Sequence, residues 1–226
     1  MKLPHSSDYG FALVAVLALM PALVSLLMVF SLLGQALVDQ SRARHLCRKQ
    51  TLKTQSQVAQ SIETLLSLNA KARRLRFARK SALSALTMAT LSSPQLVPIA
   101  RSALQKITHQ QHILHGQQKA LLNKIESTWR VGQRQLRSLL SRPELKSLSI
   151  RMARSALVPV PPNSLSPSYQ LVPGYSKLHR LGASWRLKLN GPLGWIGKSE
   201  LSWTASCAAT VTKENGIWVS GLTVVK

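Results

Sequence analysis

The stretch YGFALVAVLALMPALVSLLMVFSLLGQALV, Tyr9 to Val38, decides how the rest of the chain is read. It holds no charged residue and is bounded by Asp8 and Asp39. As a helix rising about 1.5 Å per residue it is roughly 45 Å long, more than the roughly 30 Å hydrocarbon core of a bilayer. Lipid offers the backbone no hydrogen-bonding partner, so each amide must be satisfied within the segment and a single helix is expected. Pro21 removes one donor and is expected to kink it. A cleaved secretory signal has an apolar core of about 7–15 residues behind a basic start. This run is much longer, and the basic residues before it are only Lys2 and His5. A soluble core helix with no polar face would need a large domain around it. The stretch therefore reads as a retained transmembrane helix over 9–38, with residues 1–8 as a leader or cytoplasmic stub.

Beyond the anchor the chain stays helix-like. Gln40 to Leu91 contains neither proline nor glycine and is rich in Ala, Leu, Gln, Arg and Lys, all good helix formers. Leu52, Val58, Ile62, Leu65, Leu66 and Leu68 follow an imperfect 3–4 spacing. Ser92, Ser93, Pro94 and Pro98 break the run. A second helix is expected over about 99–140, with Leu104, Ile107, Gln111, Leu114, Gln118, Leu121 and Ile125 as a seam and Trp129, Leu136 and Leu139 extending it. The short connection favours antiparallel neighbours, so residues 39–157 are read as a helical stalk or hairpin. Arg142-Pro143-Glu144 is expected to open a short third helix. Residues 158–174 hold five prolines and read as an extended linker.

Past the linker the period changes to two. Trp185, Leu187 and Leu189 alternate with polar neighbours, as do Leu201, Trp203, Ala205, Cys207, Ala209 and Val211. Residues 217–225 supply a third strand, with turns at Asn190–Gly194 and Lys213–Gly216. The apolar face, carrying Trp185, Trp203 and Trp218, needs a cover, either the third helix or the hairpin. The fold class is thus α+β: a transmembrane helix, a long helical hairpin or stalk, and a small C-terminal antiparallel β-meander over 175–226.

Charge narrows the partners. Thirty Lys and Arg stand against seven Asp and Glu in 226 residues, a formal charge of +23. Such a balance calls for an acidic neighbour, whether lipid headgroups, nucleic acid or another anionic polymer, or an acidic protein. The densest cluster is Lys71, Arg73, Arg74, Arg76, Arg79 and Lys80, with Leu75 and Phe77 interleaved, and it is the candidate polyanion-binding segment. Cys47 and Cys207 are the two cysteines, and pairing and free thiols are both open.

Groups for catalysis are sparse. The carboxylates after the anchor are isolated from one another in sequence, and no phosphate-binding glycine loop, nucleophile elbow or zinc-protease motif is present. His109, His112 and His115 are spaced three apart but drift round the helix by about 120°, at 100° per residue, which suits a solvated face better than a metal site. No catalytic, cofactor-binding or metal-binding residues are assigned, and no cofactor is expected.

The anchor has internal order as well. Gly10 precedes Phe11-Ala-Leu-Val-Ala15, an Ala/Leu-rich run leads to Pro21, and the far end reads Val38-Asp39-Gln-Ser-Arg42. This pattern resembles the N-terminus of the TadE/TadG-like minor pilins of tight-adherence pili, over about residues 10–65, with Ala15 standing where the family commonly carries Glu. The resemblance implies processing by a prepilin peptidase between Gly10 and Phe11, a membrane-exit motif at Val38, Asp39 and Arg42, and packing with other pilin or pilus-assembly subunits. It implies a non-enzymatic, single-pass protein of the bacterial inner membrane whose C-terminal part is periplasmic or extracellular. The basic residues just after the anchor point the other way, toward a cytoplasmic body. The alternatives are a membrane-tethered protein that binds DNA or another polyanion, and a minor pseudopilin of a type II secretion or type IV pilus system.

Overall fold

The computed structural model describes residues 7–141, 145–152, 157–172, 180–188, 202–214 and 217–223. A single helix, α1 (Ser7–Ser92), carries the apolar N-terminal run and continues without interruption into the body. It passes through Pro21, and four residues on the Ser25 hydroxyl donates to the Pro21 carbonyl at 2.7 Å and the Ala22 carbonyl at 2.9 Å. The helix is long and apolar enough to cross a membrane. Among the described side chains of residues 14–38, none is buried.

The α1 helix ends where the sequence punctuates it. The Ser93 amide donates to Ala89 at 3.0 Å, and a 3-10 turn over Pro94–Leu96 reverses the chain. Helix α2 (Val97–Leu140) then runs back along α1, with Pro98 in its first turn, where a missing N–H costs nothing. The pairing is antiparallel: Thr54 lies against Gly132, Gln50 donates to Gln135, and Leu136 and Leu140 meet Ala43 and Cys47. A Cβ on Gly132 would stand 2.5 Å from Thr54 Cγ2, so glycine is what lets the two helices approach this closely. The buried α2 residues are Gln111, Leu114, Gln118, Ile125, Trp129, Gly132, Leu136 and Leu140. Of the expected seam, Gln111, Leu114, Gln118, Ile125, Trp129 and Leu136 are buried, Leu104, Ile107 and Leu121 are half-buried, and Leu139 is exposed while its neighbour Leu140 is buried.

The strands differ from expectation in two ways. First, Arg142-Pro143-Glu144, the expected start of a third helix, lies outside the described residues, and the described residues that follow form a strand, β1 (Leu145–Met152), instead. Leu148, Ile150 and Met152 alternate with Ser147, Ser149 and Arg151, a period of two that outweighs the helix-starting proline. Strand β1 adds antiparallel to β4 (Arg180–Lys188), which pairs with β5 (Ser202–Glu214), which pairs with β6 (Ile217–Thr223). The meander of three strands is thus a sheet of four. Second, the proline-rich stretch is no extended linker. There β2 (Leu157–Val160) and β3 (Ser168–Leu171) form an antiparallel ribbon, with Val160 opposite Ser168 and Leu157 opposite Leu171. A two-stranded ribbon tolerates proline because each strand leaves one edge unpaired. The Asn190–Gly194 turn lies outside the described residues.

The hairpin supplies the sheet's cover. Leu181, Ala183 and Trp185 of β4 face Ala209, Cys207 and Ala205 of β5, and with Leu136 and Leu140 they enclose Ala43 and Cys47 of α1. Farther along, Val211 and Trp218 join Tyr169 and Leu157 around Val58, Ile62, Leu65, Ile125 and Trp129. Beyond that the core narrows to Ala72, Leu75 and Leu114 between the two helices alone. The body is therefore thick near the anchor and thin at the hairpin turn. Trp185 and Trp218 are core residues on the expected face; the Trp203 side chain lies outside the described residues.

Candidate membrane-exit and cationic surfaces

Two surfaces carry the residues singled out in the sequence. At the expected membrane exit, Val38, Asp39 and Arg42 are all exposed on α1. Just beyond them a surface cavity of about 360 Å³ is lined by Leu37, Gln40, Ser41, Arg44, His45 and Arg48. Two successive turns of α1 carry three of these cations or potential cations, Arg44, His45 and Arg48, outward, while the inward side of the same turns holds Ala43 and Cys47. Gly10 and Phe11 lie in the first turns of α1, and the Phe11 side chain is outside the described part.

Cys47 is disulfide-bonded to Cys207 of β5, 160 residues away in sequence, with Cα atoms 6.2 Å apart. The pairing left open by the sequence is resolved because the alternation of β5 turns Cys207 toward the same core that α1 lines with Cys47. The bond ties the sheet to the stalk eight residues beyond Asp39, about 12 Å along the helix axis.

The cationic cluster separates into two parts. Lys71, Arg73, Arg74 and Lys80 are exposed, and Phe77 among them is 74% exposed. Arg76 and Arg79 are half-buried. Arg76 serves the fold: its guanidinium donates to the Val160 carbonyl at 2.8 Å and to Ser168 Oγ at 2.7 Å, clamping the β2–β3 ribbon onto α1. Four of the six residues thus face solvent. No carboxylate occurs between Glu63 and Glu126, so nothing within that span of sequence neutralises them. Among the described residues the one ion pair is Arg130–Glu126, on the exposed side of α2.

Sequence reasoning did not find the polar side chains that hold the ribbon. Asn69 makes a two-way bond with Tyr169: its Nδ2 donates to the Tyr169 carbonyl and its Oδ1 accepts from the Tyr169 amide, both at 2.8 Å. Gln111 donates to Ser166 Oγ at 3.1 Å and Gln118 to the Pro167 carbonyl at 2.8 Å, both fully inside. Gln55 reaches the Ala209 carbonyl at 3.2 Å. A signal was present, since Gln111 and Gln118 occupy seam positions where apolar residues belong. A buried glutamine implies a polar partner, and here it is backbone or hydroxyl from the ribbon region. Burial raises the Tyr169 hydroxyl above the usual tyrosine range.

His109, His112 and His115 are all exposed on α2. Among the described residues no three His, Cys, Asp or Glu side chains come together as a metal-binding group. Comparison with protein-family models, with curated proteins and with solved structures finds no match.

Proposed function

We propose that this chain is a non-enzymatic, single-pass component of a bacterial envelope, held in the inner membrane by residues 9–38 with its body on the oxidising side. In this reading it serves pilus or secretion assembly in the manner of the TadE/TadG-like minor pilins that its N-terminus resembles. The observation that carries the proposal is the Cys47–Cys207 bond. Disulfides persist outside the cytosol and are rare within it. This one sits so close to the membrane exit that its compartment is the compartment of the whole body. It weighs against the cytoplasmic placement suggested by Arg42, Arg44, Arg48, Lys49 and Lys53, because a long domain crosses largely regardless of such charges.

Two further features support the assembly role. The apolar part of α1 carries none of the body, which leaves it available for lipid and for the helices of other subunits. The C-terminal part of the same helix is covered by an antiparallel sheet, a plan compatible with pilin subunits. The test is direct: cells are lysed into an alkylating reagent, and the full-length chain is weighed before and after reduction. Two cysteines that accept reagent only after reduction are the expected result. Immediate alkylation of both would place the body in a reducing compartment and end the proposal. The same mass decides whether residues 1–10 have been removed at Gly10–Phe11.

A further inference from the structure

The distal end of the hairpin has the composition of a membrane-contacting surface. Around the turn, Met88 is 67% exposed, Leu91 80%, Leu96 52% and Ile99 65%. Of the residues from 77 to 110, only Ala89 is buried. Among the described residues, no hydrogen bond joins this segment to a strand. Behind the apolar cap come exposed cations, Arg101 and Lys106 on α2 and Lys80 on α1. Residues 64–125 contain ten Lys or Arg and no carboxylate.

From this arrangement we infer that the hairpin tip docks on an anionic lipid bilayer other than the one that holds the anchor. An apolar end with cations about 8–18 Å behind the helix ends at Ser92 and Leu96, counted at 1.5 Å per residue, matches a segment inserted about 5–10 Å into an interface with its cations at the headgroups. The exposed apolar side chains at the turn are aliphatic or thioether. They offer no ring for base stacking, which nucleic-acid strands use, and the exposed ring of Phe77 lies fourteen residues, about 21 Å of helix, behind Leu91. A second copy of the same tip is repelled by its like charge. Pro94 and Pro98 have no N–H to strip of water at the interface. The tip's own membrane is out of reach: from Asp39 to Leu91 is roughly 78 Å of helix, and that stretch contains neither proline nor glycine to fold it back. The molecule thereby links two membranes. The linking, though not the tip's affinity, rests on the anchor reading above.

The test uses the full chain placed in zwitterionic donor vesicles and mixed with acceptor vesicles that are either zwitterionic or rich in an anionic phospholipid. Clustering with the anionic acceptors alone is expected. The triple variant Leu91→Ser, Leu96→Ser, Ile99→Ser preserves the charge and should weaken clustering at least about tenfold. Lys80→Gln, Arg101→Gln, Lys106→Gln should weaken it by up to roughly a hundredfold at low salt. Far-ultraviolet circular dichroism and the intact disulfide certify the fold of both variants. No clustering of anionic acceptors would overturn the inference. So would an unchanged serine variant, or a DNA duplex that binds the tip as tightly as the anionic vesicles do and is indifferent to those serines. None of these outcomes touches the placement of Cys47 and Cys207, which alkylation reads separately.

Discussion

Single residues in this chain act chiefly by fastening one element to another. The Cys47–Cys207 bond closes a loop of 160 residues, which constrains the unfolded chain strongly. Cys47→Ser with Cys207→Ser is expected to lower unfolding free energy by about 2–4 kcal/mol, read as a shift in the urea midpoint against wild type without reductant. The two α2 glycines separate packing from propensity. Gly116 has open space beside it, so Gly116→Ala should gain about 0.5–1 kcal/mol from helix propensity. Gly132→Ala drives a methyl into the stiff Thr54 side chain and should lose about 1–3 kcal/mol despite the same propensity gain. Opposite shifts in melting temperature check the pair. Tyr169 adds a pH dependence: its folded-state pKa is raised, so the unfolded chain deprotonates first as alkali is added. Its contribution is intact below the ordinary tyrosine value of 10.0 and is lost as pH rises through the folded value. A Tyr169→Phe variant should show a shallower alkaline loss of stability in urea titrations.

At the level of elements, the β2–β3 ribbon is the part whose place depends on polar contacts. Leu157 and Tyr169 bury some apolar surface, but Asn69, Arg76, Gln111 and Gln118 set its position on the hairpin. Asn69→Ala removes both bonds to Tyr169 and leaves its amide and carbonyl unpaired in a half-buried site. The expected cost is about 1–3 kcal/mol, confined largely to the ribbon. Hydrogen exchange should show amides of 157–171 opening faster in this variant while those of α1 and α2 near Thr54 and Gly132 keep their protection. Equal loss of protection throughout would mean that ribbon and hairpin unfold as one unit. The hairpin itself is graded, from a covered end near the anchor to two bare helices at the turn.

For the whole molecule, charge and the long apolar run of α1 dominate. At +23 the body repels itself, and seven acidic residues offer few internal partners. Added salt should therefore raise the urea midpoint, most steeply below about 0.15 M where the Debye length exceeds about 8 Å. A midpoint that falls or stays level with salt would show that like-charge repulsion is not a major term. The full-length protein is expected to stay with membranes through an alkaline carbonate wash and to leave them only in detergent, because the apolar part of α1 has no cover of its own. Release by the wash alone would remove the basis for an anchor.

The two long helices and the three strands β4, β5 and β6 were readable from the chain because each rests on local periodicity, 3.6 in the Leu and Gln seam of α2 and two around Cys207. The apolar run of residues 9–38 was readable for the same reason: composition and length are local quantities. What the sequence left undecided depended on elements distant in the chain. Strand β1 exists because β4 offers it an edge, and the proline-rich segment folds into a ribbon because Asn69 and Gln118 meet its backbone and Gln111 the Ser166 hydroxyl. The pairing of Cys47 with Cys207 follows from a helix and a strand turning their cysteines into one core. Arg76 stood in the sequence as one cation among six, and only packing against Val160 and Ser168 made it a clamp. Local patterns specify elements through short-range sterics and hydrophobic spacing, whereas the partner of a buried polar group or a thiol is chosen by whatever the fold brings within reach.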